Sequence, residues 1–216
     1  MKNFLFAIVL ILGSCEKVPQ KKKLQAHENS KLVKVNLENG LGTITIALPG
    51  RYDTTFTWIH YSDCGKVCEK RKYRYQPKDL PIYPETGFHY KELTDSMDQF
   101  TIVHNPYIPV TDSDNTDDKS FIYSYHDHKK WDIIHDPSLR QVTWDTVEKI
   151  GDRYFSVIVI DSYDSATATF SKKLLSTSTI RKGTIDFNFD LLTKRKGPFT
   201  DNFINDAEYY LSTIRF

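Results

Sequence analysis

Cysteine is scarce: there are three in 216 residues, which excludes a disulfide-dense mini-scaffold. Glycine and proline number nine each, too few for a collagen-like repeat or a proline-rich low-complexity chain. An excess of one charge is also missing. The 29 Lys and Arg face 28 Asp and Glu, for a formal net charge of +1. That argues against a nucleic-acid partner held by bulk electrostatics. Familiar catalytic signatures are absent: there is no GxSxG, HExxH or P-loop. Gly40 and Gly42 begin something like GxGxxG, but Thr45 holds the third position. No cofactor is called for. Ser, His and Asp are plentiful, so a dispersed triad stays open without a motif to support it.

What is present begins at the N-terminus. Lys2 supplies a positive start, Phe4 to Leu12 is an unbroken apolar run, and the small Gly13 and Ser14 precede Cys15. This is the three-part layout of a secretory signal peptide. As a helix the run would span about 14 Å, less than half of a bilayer core about 30 Å thick. It is therefore too short for a permanent span. Residues Leu12-Gly13-Ser14-Cys15 resemble a bacterial lipobox. The resemblance implies that Cys15 becomes the first mature residue and is acylated on its thiol and amine. Several acyl chains hold a protein stably on a membrane, where one gives only marginal binding.

From Cys15 to Lys31 the chain is polar, with Lys21, Lys22 and Lys23 in a row and Pro19 ahead of them. It reads as a flexible tether, whose lysines could also touch anionic headgroups. Loss of residues 1–14 removes Lys2 alone among charged side chains and leaves 28 basic and 28 acidic residues. The expected organisation is a signal peptide over 1–14, lipidated Cys and tether over 15–31, and one domain over 32–216. At this length a chain buries about 70% of the surface it exposes when unfolded, so no staple is obligatory.

The body reads as strands first and a helix last. Val33, Val35 and Leu37 alternate; Ile44, Ile46 and Leu48 alternate with Thr43 and Thr45. Period two is the mark of a half-buried strand. Phe56 to Tyr61, the basic segment with Tyr73 and Tyr75, and Phe100 to His104 follow as strands. Phe121, Tyr123 and Tyr125 form a stripe with the same period, and Val142 to Val147 suggests a short strand. Tyr154 to Ile160 is the most apolar stretch and reads as the central strand. Lys173 to Ile180 and Thr184 to Leu191 suggest a hairpin about Lys182-Gly183. Phe203, Ala207, Leu211 and Ile214 then recur at helical spacing, with Thr200 as expected N-cap and Asp201 in the first turn. The fold class is α+β: a twisted antiparallel sheet covered by helix, including a C-terminal amphipathic helix.

The segment Gly42-Thr43-Ile44-Thr45-Ile46-Ala47-Leu48-Pro49 with Tyr52 is similar to the opening strand of PsbP-like α/β/α sandwich domains. Their closing helix resembles Ala207-Glu208-Tyr209-Tyr210-Leu211-Ser212-Thr213-Ile214. The likeness touches the two ends of the domain. It implies a binding or assembly-support role, because that family has no shared catalytic apparatus.

Chemical candidates are few. Cys64 and Cys68 enclose a three-residue turn. An exported chain meets an oxidising compartment, so with Cys15 lipidated a local disulfide is the simplest bookkeeping. Free thiols and a metal or redox role remain open. His126-Asp127-His128 is the best metal-like cluster: on a strand, alternate imidazoles share a face. His104, His135 or the acidic loop Asp112 to Asp118 could complete the shell. The plainer reading is a polar hairpin tip. The acidic loop lacks the Gly and terminal Glu of a calcium loop and reads as solvated, with the basic run Lys70 to Arg74 as a possible counterpart. Tyrosines between 73 and 125 suit either a sheet or a face for peptide or glycan.

The expected function is therefore a lipid-anchored bacterial envelope protein with a non-catalytic binding or assembly-support role, on the inner or outer membrane. Its partners would be the membrane, through the lipid, and an envelope protein, peptide or glycan. The alternative is an envelope hydrolase or metal-dependent enzyme using the His126/His128 region.

Overall fold

The computed structural model describes residues 29–82, 96–107, 119–135, 142–181 and 183–216. The expected lipidation site Cys15 and the acidic loop Asp112 to Asp118 lie outside them.

Strands β1 (Ser30–Asn36) and β2 (Thr43–Pro49) form an antiparallel pair of their own. Val35, Ile44, Ile46 and Leu48 are buried, so the alternating pattern sets which face turns inward. Seven further strands follow: β3 (Thr54–His60), β4 (Lys70–Gln76), β5 (Met97–His104), β6 (Val142–Ile150), β7 (Arg153–Asp164), β8 (Thr169–Ile180) and β9 (Gly183–Thr193). They make one sheet in the order β3-β4-β5-β9-β8-β7-β6, antiparallel at every pairing. Helix α1 (Lys119–His135) stands between β5 and β6 in the chain, and α2 (Pro198–Ser212) closes it. The class is α+β. The hairpin about Gly183 joins β8 to β9 and brings Ile180 opposite Gly183.

The layers follow from the alternation of β7. Phe155, Val157 and Val159 join the main core with Phe187, Phe189 and Leu174 of β9 and β8, the β1–β2 pair, and Phe203, Ala207, Tyr210 and Leu211 of α2. Ile158 and Ile160 point the opposite way and pack with Ile133 of α1. At β7 the sheet therefore has α1 on one face, and α2 with the β1–β2 pair on the other.

Three expectations are corrected. The stripe Phe121, Tyr123 and Tyr125 belongs to helix α1, not to a strand. Its helical signal is the spacing of the buried Ile122, His126 and Ile133. On a helix residues two apart are about 160° from one another, so the three aromatics make no single stripe, and Phe121 and Tyr123 are exposed. Tyr154 to Ile160 is not central, because β7 lies next to the edge strand β6 while β9 holds the middle. Apart from Ser156 it is apolar on both faces because both are covered. Thr200 is not an N-cap. The helix starts at Pro198 behind Gly197, with no side-chain cap. Thr200 is buried in the first turn, and its hydroxyl donates to the Arg195 carbonyl at 2.7 Å.

Candidate functional site

Helix α1 lies across β6, β7 and β8, and polar side chains meet beneath it. Residues directly opposite on paired strands share a face. The register sets Asp145 of β6 opposite Ile158, Ser156 of β7 opposite Thr177, Thr177 of β8 opposite Asp186, and Leu175 of β8 opposite Asn188. Ile158 faces α1, so Asp145, Ser156, Thr177, Asp186 and Asn188 face α1 too. The face opposite the main core is therefore a polar row running from the β6 edge to the middle of the sheet.

His126 enters this row from above. Its Nδ1 lies 2.9 Å from Ser156 Oγ, and its Nε2 lies 3.0 Å from Asp145 Oδ2. A carboxylate accepts only, so Nε2 carries a proton, and in the neutral ring Nδ1 accepts from the Ser156 hydroxyl. Lys130, one helical turn on from His126, donates to the same Asp145 oxygen at 2.9 Å. His126 and Ser156 are buried. At Asp145 burial acts to raise the carboxyl pKa, but hydrogen bonds from Lys130 and His126 outweigh it and hold the group below the usual carboxylate range.

Beside this chain is a hollow of about 50 Å³, lined by Ser156, Ile158, Leu175, Thr177, Asp186, Asn188 and Lys129. Thr177 donates to Asp186 Oδ1 at 2.7 Å. Tyr125, one turn before Lys129 on α1, shares a hydrogen bond with Thr177. Burial pushes the Asp186 carboxyl above its ordinary value, against the hydrogen bond from Thr177 and the attraction of Lys129. A carboxyl with a raised folded pKa stabilises the fold only while it stays protonated, and it carries its full penalty once pH exceeds that pKa. Asp186→Asn keeps an acceptor for Thr177 and removes the charge. It is expected to raise the melting temperature at pH 7. The gain should vanish as pH falls below the unfolded carboxyl value of about 3.9, which melting curves from pH 3 to 8 will check.

His126-Asp127-His128 lies within helix α1 and is not a hairpin tip, and the two histidines of the metal-like alternative are separated. His126 points into the sheet, whereas His128 is exposed and its Nδ1 bonds the Ser124 carbonyl at 2.8 Å. Residues two apart on a helix diverge by about 160°, so the strand argument for one shared ion does not apply to them. His135 is exposed, with Nδ1 on the Trp131 carbonyl. His104 is buried on the opposite face of the sheet, stacked on Tyr73. Among the described residues no three His, Cys, Asp or Glu side chains are grouped to hold a metal.

Cys64 and Cys68 follow β3 with their Cα atoms 5.9 Å apart, at disulfide distance. Gly65 between them has φ +83°, which glycine adopts without a Cβ penalty and which lets the turn close tightly. Tyr73 and Tyr75 of the expected aromatic face are buried in the main core, Tyr75 beside Phe100. At these two positions the tyrosines are core material. Lys72 and Arg74 of the basic run lie over the Trp58 ring at 5.9 and 4.8 Å.

Asp145, Ser156, Lys130, Thr177 and Asp186 were not singled out from the sequence. They come from five separate elements, so no local motif joins them. One signal was available: Ser156 interrupts the apolar run of β7 at a position facing α1. A buried hydroxyl there requires a partner.

No family model matches the chain, and no curated protein matches it. A crystal structure of a protein from Bacteroides thetaiotaomicron VPI-5482 aligns at 11% identity with a TM-score of 0.38. The alignment covers 84% of this chain and 47% of that one, so this chain spans about half its length. A likeness at that level carries no argument about what this chain does.

Proposed function

We propose that the protein is a lipid-anchored component of the bacterial cell envelope, held through Cys15, whose α+β domain has a binding or assembly-support role. The observation that carries the reading is the order Leu12-Gly13-Ser14-Cys15 behind an apolar run too short to span a bilayer. Cys64 and Cys68 at disulfide distance suit an oxidising compartment. A PsbP-like sandwich is the finer architecture proposed. The placing of α1 and α2 on opposite faces of the sheet supports it.

Cys15→Ala tests the anchor. In cells labelled with a palmitate analogue, the wild type is expected to carry label and to sediment with membranes. The variant is expected to lose the label and to leave the membrane fraction. A variant that stays with membranes against high salt and carbonate would end the proposal. Crosslinking of the anchored protein in cells, followed by identification of what it captures, tests the binding role.

A second reading is favoured by one observation. His126 joins a serine hydroxyl to a carboxylate, the arrangement that activates a nucleophile. On this reading the domain is an envelope hydrolase centred on Ser156.

A further inference from the structure

We infer that Ser156 is the nucleophile of a site that hydrolyses short acyl esters, acetyl esters above all. The inference rests on the hydrolase reading and specifies its residues and substrate class.

The argument starts with connectivity. Ser156 Oγ, His126 Nδ1, His126 Nε2 and Asp145 Oδ2 form one hydrogen-bonded chain with separations of 2.9 and 3.0 Å. The ring is used the other way round from serine proteases, where Nε2 faces the serine. Either nitrogen of a neutral imidazole can accept the proton, provided the other donates to a carboxylate. Asp145 satisfies that condition, and Lys130 fixes the carboxylate at 2.9 Å. Asp145 and Lys130 are positioning residues: they hold the tautomer that leaves Nδ1 free to accept.

Access and size come next. Ser156 lines the hollow of about 50 Å³, so its hydroxyl has somewhere to meet a substrate. That space is on the order of three or four waters. An acetyl group fits within it and an octanoyl chain does not. The apolar wall is Ile158 and Leu175, and Lys129 lines the same hollow. A cation there can stabilise negative charge that develops on a carbonyl oxygen. The ladder pairing of β7 with β6 and β8 engages the backbone on both sides of Ser156, which leaves this duty to a side chain.

The steps balance. Ser156 Oγ forms a bond to the ester carbonyl carbon while its proton passes to His126 Nδ1 and the carbonyl π pair moves onto oxygen beside Lys129. Collapse breaks the carbon–oxygen bond to the alcohol, which leaves with the proton from His126. A water then attacks the acyl-serine, giving its proton to His126, and expulsion of Ser156 Oγ returns that proton and releases the carboxylic acid. The net reaction is ester and water to acid and alcohol.

The experiment combines a covalent probe with two substrates on the purified full chain. A fluorophosphonate is expected to modify Ser156, as read by peptide mass spectrometry. p-Nitrophenyl acetate is expected to turn over with kcat/KM at least about 100-fold above p-nitrophenyl octanoate. Ser156→Ala is expected to reduce turnover to the buffer rate. Asp145→Asn is expected to lower kcat by about 10²- to 10⁴-fold with KM little changed, a split that a merely structural residue would not give. Lys129→Met is expected to lower kcat by about 10²-fold. Labelling of Ser156 without preferential acetate turnover would overturn the substrate class and leave the hydrolase reading standing. No labelling, together with turnover unaffected by Ser156→Ala, would overturn both and make the polar row a clamp that docks α1.

Discussion

Phe189→Ala is expected to destabilise the domain by about 4 kcal/mol, the middle of the range for removing a buried phenylalanine. Phe189 sits on the central strand β9 and is 1% exposed. Its ring lies 4.5 Å from Phe100 of β5 and 6.4 Å from Tyr210 of α2, and its other strand neighbour is Leu174. Phe100 and Leu174 are themselves fully buried on strands paired along both sides. Neither can move to fill the space, so the cavity cost adds to the transfer cost. Phe216 supplies the contrast. It packs against Phe155 and Phe187 at 6.4 and 6.2 Å but is 39% exposed at the chain end, and Phe216→Ala is expected to cost about 1 kcal/mol. Urea unfolding measures both. The midpoint should fall sharply for Phe189→Ala with the slope unchanged, because the surface exposed on unfolding stays nearly the same. Equal costs at the two positions would mean that the centre of the core does not lie at β9.

The readable parts of the fold are those where one face is wet and one is dry. Ile44, Ile46 and Leu48 alternate with threonines because β2 covers the core with one side alone, and period two survives in the sequence. Where both faces are covered the period is lost. In β7 the residues Phe155 to Ile160 are buried regardless of direction, so composition marks a strand there but cannot give its place in the sheet. Helix α1 fails for the opposite reason. Its exposed residues mix Phe121, Tyr123, Trp131 and Ile134 with Ser124, Asp127, His128 and Asp132, so no purely polar face contrasts with Ile122 and Ile133. Three aromatics at alternate positions then imitate a strand.

The same error decided how the site was read. On a strand, His126 and His128 would have shared a face; on α1 they part, and His126 finds Ser156 and Asp145 instead. The histidine itself was singled out from the sequence, but its partners were not. Asp145 and Ser156 come to one point only through the antiparallel register of β6 on β7, with Asp145 opposite Ile158 and Val147 opposite Ser156. That register is set by packing across the sheet rather than by any short segment. Cys64 and Cys68 could be paired from sequence because their relation is local.

Asp98→Ala is expected to cost about 3 kcal/mol, because one carboxylate ties three parts of the molecule together. Asp98 of β5 is 6% exposed and accepts from Arg51 Nε at 2.7 Å and from the Tyr52 hydroxyl at 2.6 Å. Arg51 and Tyr52 follow the end of β2, and the Arg51 guanidinium lies 4.5 Å from the Phe199 ring centroid at the start of α2. The contact thus joins the exit of the β1–β2 pair to the sheet and to the closing helix. Removal of the carboxylate strands the Tyr52 hydroxyl at a fully buried site, and an unsatisfied buried group costs more than the bond contributed. Arg51 reaches solvent with 39% of its side chain, so its loss is the smaller part. Asp98→Asn keeps an acceptor for Tyr52 and is expected to cost about 1 kcal/mol. Tyr52 also sets an alkaline limit. Burial, then the negative charge of Asp98, raise its pKa well above the ordinary value. The unfolded tyrosine therefore ionises first, and stability present below about pH 10 is lost as pH rises beyond it. Tyr73, Tyr75 and Tyr210 are raised in the same direction by burial, so the limb is shared. Tyr52→Phe should make the fall in stability between pH 9 and 11 shallower, measured by urea midpoints, while lowering stability at pH 7 by less than Asp98→Ala does. An unchanged alkaline slope would mean that Tyr52 is not held as a buried, protonated donor.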